Sequence, residues 1–99
     1  MSSQPSDRMA TRTVAVINKL GLHARAAARF VSEANRFDAT IRVVNNRTAK
    51  TVDGRSIMAL MMLAAGPGTE LELQAEGEDA EQALTHLESL ILERFGEPE

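Results

Sequence analysis

Between residues 69 and 76 apolar and polar side chains alternate without a break: Leu71, Leu73 and Ala75 fall on one side, and Glu70, Glu72 and Gln74 on the other. That period of two is the pattern of a strand with one face on a core and one face in water. Such a strand belongs in an antiparallel sheet left open on one side, because parallel sheets are covered on both faces and their strands read as unbroken apolar runs. The dry side then needs a second layer, so the rest of the chain has to supply amphipathic helices.

The remaining segments meet that demand. Residues 11–18 are rich in β-branched side chains and alternate around Val14 and Val16, which predicts a strand that Gly21 breaks. From His23 the period becomes helical, with Ala27, Phe30, Val31 and Ala34 on one face and Arg25, Arg29, Ser32 and Arg36 on the other. Residues 40–45 alternate around Ile41 and Val43. Asn45-Asn46 is a turn signal, and residues 48–52 form a weaker, polar partner strand closed by Asp53-Gly54. Ser56 stands where an N-cap belongs, ahead of an apolar helix over 57–63. Gly66-Pro67-Gly68 is a hard turn. Asp79 with Gln82 resembles a capping box, opening a last helix whose stripe is Ala80, Ala83, Leu84, Leu87 and Ile91 and which Gly96 and Pro98 stop. The order strand, helix, strand, strand, helix, strand, helix describes an α+β sandwich of two layers. Residues 10–96 make one domain, and the polar, patternless residues 1–9 are expected to be a disordered tail, with Met9 as a candidate start.

Composition narrows the function. With no cysteine among 99 residues, thiol catalysis, thiolate metal sites and disulfides are excluded. A net charge of −3 and only three aromatic residues, all Phe, argue against nucleic-acid binding. The longest apolar run, 57–65, is too short to cross a bilayer, and no secretory signal is visible at the start, so a soluble cytoplasmic protein is expected.

Three groups of residues stand out. His23 falls at a junction of strand, glycine turn and helix, where unpaired backbone N–H groups and the helix dipole favour an anion. Histidine caps helices poorly, so its place there is either an imperfect cap or a nucleophile that can carry a phosphoryl group, with the planar donor fork of Arg25 two residues on. Metal binding is not expected, because no second ligand stands at the right spacing, and His86 reads as a helix-surface histidine. Ser56 is explained as an N-cap; its functional reading is phosphorylation at a helix N-terminus. Met58, Met61 and Met62, with Ile57, Leu60 and Leu63, make a helix more apolar than one core-facing side requires. It is either pressed between layers or carries a docking patch for a partner.

The chain resembles the HPr family, the HPr/NPr-like histidine-containing phosphocarriers of the bacterial phosphotransferase system, over about residues 11–95. The resemblance is carried by Asn-Lys-Leu-Gly-Leu-His-Ala-Arg around His23, by Gly-Arg-Ser-Ile-Met-Ala-Leu-Met-Met-Leu around Ser56, and by Ala-Glu-Gly-Glu-Asp at 75–79. It implies an open-faced β-sandwich, a four-stranded antiparallel sheet covered on one face by three helices. It implies a carrier rather than an enzyme, working as a monomer without cofactor or metal. His23 would accept a phosphoryl group on Nδ1 from phosphorylated enzyme I, whose donor is phosphoenolpyruvate, and pass it to a IIA-type protein or domain. Arg25 would steady the group. Ala24, Arg29, Ile57, Met58, Met61 and Met62 would meet partners, and Ser56 matches the serine that HPr kinase/phosphorylase modifies.

One position departs from the family. Proline usually follows the arginine, where this chain has Ala26. Alanine keeps the helix and removes no reacting group, but alters the turn beside the site. Two competing readings remain: a regulatory HPr-like module of a nitrogen-related or carbon-regulatory branch, and a small ligand-binding α+β domain.

Overall fold

A computed structural model describes residues 9–99. The elements are β1 (Met9–Ala15), α1 (Ala24–Ala34), β2 (Thr40–Asn45), β3 (Lys50–Asp53), α2 (Ile57–Met62), β4 (Glu70–Glu76) and α3 (Ala80–Leu92), followed by a 3-10 turn at Arg94–Gly96. The four strands form one antiparallel sheet in the order β1-β4-β2-β3. The strand with the clearest alternation therefore lies inside the sheet, paired on both sides: Ala75 faces Ala10 on β1 and Ile41 on β2, and Leu73 faces Arg12 and Val43. Leu71, Leu73, Ala75, Ile41, Val43 and Val14 are buried beneath the helices, against Phe30 of α1, Leu60 of α2 and Leu84, Leu87 and Ile91 of α3. Three helices on one face and water on the other is the open-faced α+β sandwich that the sequence predicts.

Several boundaries move. β1 begins at Met9 and ends at Ala15, not at 11 and 18. Met9 pairs with Glu76, so it belongs to the sheet and not to a tail; the rest of that expected tail lies outside the described residues. Beyond Ala15, Val16 still exchanges backbone bonds with Thr69 and Gly68, at 2.9 and 2.7 Å, but Asn18 is turned inward and fully buried. The partner strand starts at Lys50 because Thr48 and Ala49 donate to the Asn45 carbonyl and complete the turn, Ala49 with φ of 63°.

Ser56 caps α2 as expected, its hydroxyl accepting from the Ala59 N–H at 3.2 Å. Asp79 does not cap α3. Its carboxylate reaches across the fold and accepts from the N–H groups of Asp38 and Ala39, at 2.8 and 2.9 Å, so there is no capping box with Gln82. These two donors lie just before β2, outside the sheet ladder, and a carboxylate satisfies both at once. Arg55 performs the matching task at the end of α1. Its guanidinium donates to the carbonyls of Ala34, Phe37 and Ala39 and to Asn35 Oδ1, at 2.6 to 3.1 Å. A planar fork of five donors suits a helix C-terminus whose last carbonyls lack partners.

His86 is half-buried. Its Nε2 meets Glu33 Oε1 at 2.5 Å and its ring tilts against Phe37 with centroids 5.5 Å apart, so it joins α3 to α1. The hydrogen bonds of His86 and then Arg36 hold the Glu33 carboxyl below its usual value, against the opposing effect of burial.

Two predictions follow from these contacts. Arg55→Ala is expected to cost about 1–3 kcal/mol in urea unfolding, as befits lost hydrogen bonds to a charged group. Arg55→Lys should recover less than half of it, since an ammonium cannot reach four acceptors. The depressed Glu33 carboxyl binds its proton at lower pH in the fold than in the unfolded chain. Its contribution is therefore full above about pH 4.5 and is lost as pH falls through the folded value. Between pH 6 and pH 3, Glu33→Gln should lose less stability than the parent; an equal loss would contradict the assignment.

Candidate functional site

The connection from β1 to α1 is shaped by three features. Gly21 has φ of +70°, a left-handed conformation open to glycine, and a Cβ there would lie 2.6 Å from the Ala65 carbonyl oxygen. Leu22 donates to that same carbonyl at 2.9 Å, so the loop is clamped to the segment that follows α2. Asn18 sends its amide nitrogen to the Gly21 carbonyl at 2.8 Å. The turn is thus held from inside and from beneath, and it delivers His23 to the N-cap position of α1.

His23 occupies that position without capping. Its carbonyl accepts the Ala27 N–H at 2.8 Å, but its side chain makes no cap bond, and the N–H groups of Ala24, Arg25 and Ala26 have no acceptor among the described residues. The first turn of the helix is left open to an anion. Ala26, where the family usually has proline, is fully buried, and its N–H adds a donor that proline would lack.

The imidazole turns instead toward the C-terminal segment. Its Nε2 meets Glu97 Oε2 at 2.5 Å, and no described residue hydrogen-bonds Nδ1. The other oxygen of Glu97 accepts from Asn18 Nδ2 at 2.9 Å. Burial would raise the Glu97 carboxyl, but the hydrogen bonds from Asn18 and His23 and the nearby charges of His23 and Arg25 outweigh it, and the group lies below its usual value. Glu99 secures the end of the segment: its carbonyl accepts from the Lys19 N–H and its carboxylate lies 3.3 Å from Lys19 Nζ. Lys19, Leu20, His23, Arg25, Glu97, Pro98 and Glu99 line a shallow basin of about 320 Å³.

The residues singled out from the sequence divide by place. His23 and Arg25 share the basin, and the Arg25 guanidinium makes no hydrogen bond or ion pair among the described residues. Ala24 is exposed next to them. Arg29 lies along α1, where its Nε is 3.7 Å from Glu33, and Arg36 also pairs with Glu33, so neither is as available as Arg25. Ile57, Met58, Met61 and Met62 are all exposed, up to 69% for Met58, while Leu60 is fully buried. The apolar helix is therefore not pressed between layers: one side meets the core and the rest meets water. Leu20, at 67% exposure, adds an apolar side chain to the wall of the basin. Ser56 lies at the far end of α2 from the clamp at Ala65, beyond about 9 Å of helix. Among the described residues no group of three or more His, Asp or Glu is arranged to hold a metal ion.

Asn18, Glu97 and Glu99 are missing from any sequence-based list of site residues. Gly96 and Pro98 read as the end of a helix, and nothing local reveals that the next turn brings a carboxylate back to a histidine 74 positions earlier.

A family model described as PTS HPr component phosphorylation site matches residues 10–93. Phosphocarrier protein HPr of Pseudomonas aeruginosa is 56% identical over 86 residues, covering 87% of this chain and 94% of that protein. A crystal structure of HPr-C-His from Thermoanaerobacter tengcongensis superposes with a TM-score of 0.84 at 41% identity, covering 91% of this chain and 99% of the other. The Bacillus subtilis catabolite repression protein Crh, described as a swapped dimer, superposes with a TM-score of 0.68 at 46% identity, covering 77% and 85% of the two chains. A half-buried histidine at an open helix start, beside an arginine with no ion pair among the described residues and an apolar helix, thus stands on the fold and the sequence of one group of proteins, and the chain belongs to the HPr family of bacterial phosphocarrier proteins.

Proposed function

We propose that His23 accepts a phosphoryl group on Nδ1 from phosphorylated enzyme I and delivers it to a IIA-type protein or domain. The observation that carries this reading is the asymmetry of the ring: Nε2 is engaged by Glu97 while Nδ1 has no partner among the described residues. A neutral imidazole with a proton on Nε2 presents its lone pair at Nδ1 and is a competent nucleophile near neutral pH. The Nδ1–P bond forms as the donor's bond to phosphorus breaks, and the reverse steps unload the group onto the acceptor. Arg25 and the open N–H groups of the first turn of α1 supply donors for the phosphoryl oxygens.

Docking falls to the exposed apolar side chains of α2, Ile57, Met58, Met61 and Met62, with Ala24 and Arg29 at the margin. Methionine suits a surface that must fit two different partners in turn. A shallow basin serves the same need, since a deep pocket would shield the group from the acceptor. Ser56 is the candidate site for HPr kinase/phosphorylase. A phosphoryl group there would place negative charge at the start of the docking helix rather than on His23. We place the carrier in the cytoplasm and working as a monomer, with no cofactor of its own. The regulatory reading uses the same surface, and the likeness to Crh, a catabolite repression protein, supports keeping it as the alternative.

Incubation with phosphoenolpyruvate and the cognate enzyme I, followed by intact-mass analysis without acid, should show one added phosphoryl group that acid removes. His23→Ala should abolish it while retaining the parent's circular dichroism; full labelling of that variant would refute the acceptor. Ser56→Asp keeps a good N-cap, so the helix survives, and loading should slow several-fold through charge at the docking face. Met58→Asp with Met62→Asp should raise the KM for enzyme I by about tenfold or more, because charges would be buried on docking. Unchanged kinetics would remove α2 from the interface.

A further inference from the structure

The contact between Glu97 and His23 has no counterpart among the groups that a phosphoryl carrier strictly needs: an acceptor nitrogen, donors for the phosphoryl oxygens and a docking surface. Its geometry is nonetheless held from several directions. One carboxylate oxygen is fixed by Asn18 Nδ2, and Asn18 is fully buried and tied to the Gly21 carbonyl in the turn that also positions His23. The segment enters from the 3-10 turn, where Phe95 is buried and anchors the chain with φ of 56°. It leaves through Glu99, which meets both the backbone and the ammonium of Lys19. The Glu97 side chain is only 15% exposed, so water competes weakly for its oxygens.

Resting on the phosphocarrier reading above, we infer that Glu97 is a positioning residue for transfer at His23: it keeps the proton on Nε2, so that Nδ1 is the nucleophile on loading and the ring departs as a neutral imidazole on unloading. The balance is simple. The reacting form is the neutral ring, with its proton on Nε2 hydrogen-bonded to the Glu97 carboxylate. Attack on phosphorus uses the Nδ1 lone pair, and the ring becomes an imidazolium carrying phosphoryl on Nδ1 and hydrogen on Nε2, its positive charge facing Glu97. On transfer the Nδ1–P bond breaks, its electron pair returns to Nδ1, and no proton has to move. Were the Nε2 proton lost while the phosphoryl was bound, the leaving group would be an imidazolate, which is far more basic and a poorer leaving group. The charges facing the ring agree with this role: Glu97 and Glu99 are anionic, Lys19 is paired with Glu99, and Arg25 faces the same basin with its guanidinium uncommitted. A histidine held by a carboxylate on one nitrogen so that the other can react is a general device for setting the tautomer.

The test uses the full chain, labelled with ¹⁵N, and three variants: Glu97→Gln, Glu97→Ala and Glu97→Asp. Ring ¹⁵N–¹H correlation spectra report the tautomer, and rapid-quench transfer to and from enzyme I reports the rate. The parent should show the Nε2–H tautomer of His23. Glu97→Ala should mix the tautomers and lower the maximal transfer rate by about tenfold or more, with little change in the KM for enzyme I, because the docking helix is untouched. Glu97→Gln, which keeps an acceptor without the charge, should retain the tautomer but still slow unloading, and Glu97→Asp should recover part of the rate. A tautomer that does not change in Glu97→Ala, or a rate that does not change when the tautomer does, overturns the role of Glu97 while leaving His23 as the acceptor. A parent that takes up no phosphoryl group from its cognate enzyme I overturns both readings together.

Discussion

Two-sided pairing of β4 with β1 and β2 puts Leu71, Leu73 and Ala75 on one dry face between Ala10 and Val14 on one side and Ile41 and Val43 on the other. Burying that face against the helices supplies the main drive to fold, and the candidate site is hung from its edge. The loop that carries His23 begins at Val16, which is bonded to Gly68 and Thr69 ahead of β4, and it is clamped before α1 by the bond from Leu22 to the Ala65 carbonyl. A slip of one residue in that pairing would turn every apolar side chain of β1 to water and carry the loop away with it. The site is thus exact because the sheet beneath it has a single acceptable register.

A carrier has to load and unload, and the site is built around that compromise. On the proposed reading Arg25 and the open first turn of α1 would favour a negative phosphoryl group on His23, and Glu97 and Glu99, which line the same basin, would oppose it. Binding the group too tightly would trap it, just as uniform binding of substrate and transition state leaves a catalytic rate unimproved. The basin is open enough for a second protein to reach the ring, while the side of the ring that faces Glu97 is closed. Exposed methionines on α2 would complete the arrangement as the proposed docking surface, on a helix whose opposite side holds the core through Leu60.

How much of this could be read beforehand varies residue by residue. Ser56 was legible because a cap bond spans three residues and needs only a hydroxyl in the right place. The helix face of Ala27, Phe30 and Ala34 and the strand faces of Ile41 and Val43 were legible for a similar reason, since their periods repeat within one element. Asp79 shows the limit. The local pattern with Gln82 is that of a capping box, yet the carboxylate finds two unpaired amides before β2 and serves those instead. Arg55 carries no local signal of its role in the sequence and is the clasp on the end of α1. Each of these outcomes was decided by a competing partner that became available only when distant segments met.

By itself the sequence determined the elements, the two-layer class and the apolar character of α2, and it singled out His23 and Arg25 as candidates, because periodicity, turn chemistry and side-chain chemistry act over a few residues. The tertiary structure alone decided which ring nitrogen is engaged, what closes that side of the basin and which cations stay unpaired. Those outcomes depend on contacts such as Glu97 with Asn18 and His23, 79 and 74 residues apart, and Arg29 and Arg36 with a Glu33 already held by His86. No local rule encodes such distances; they follow from how the helices pack on the sheet and where the last turn leaves the chain.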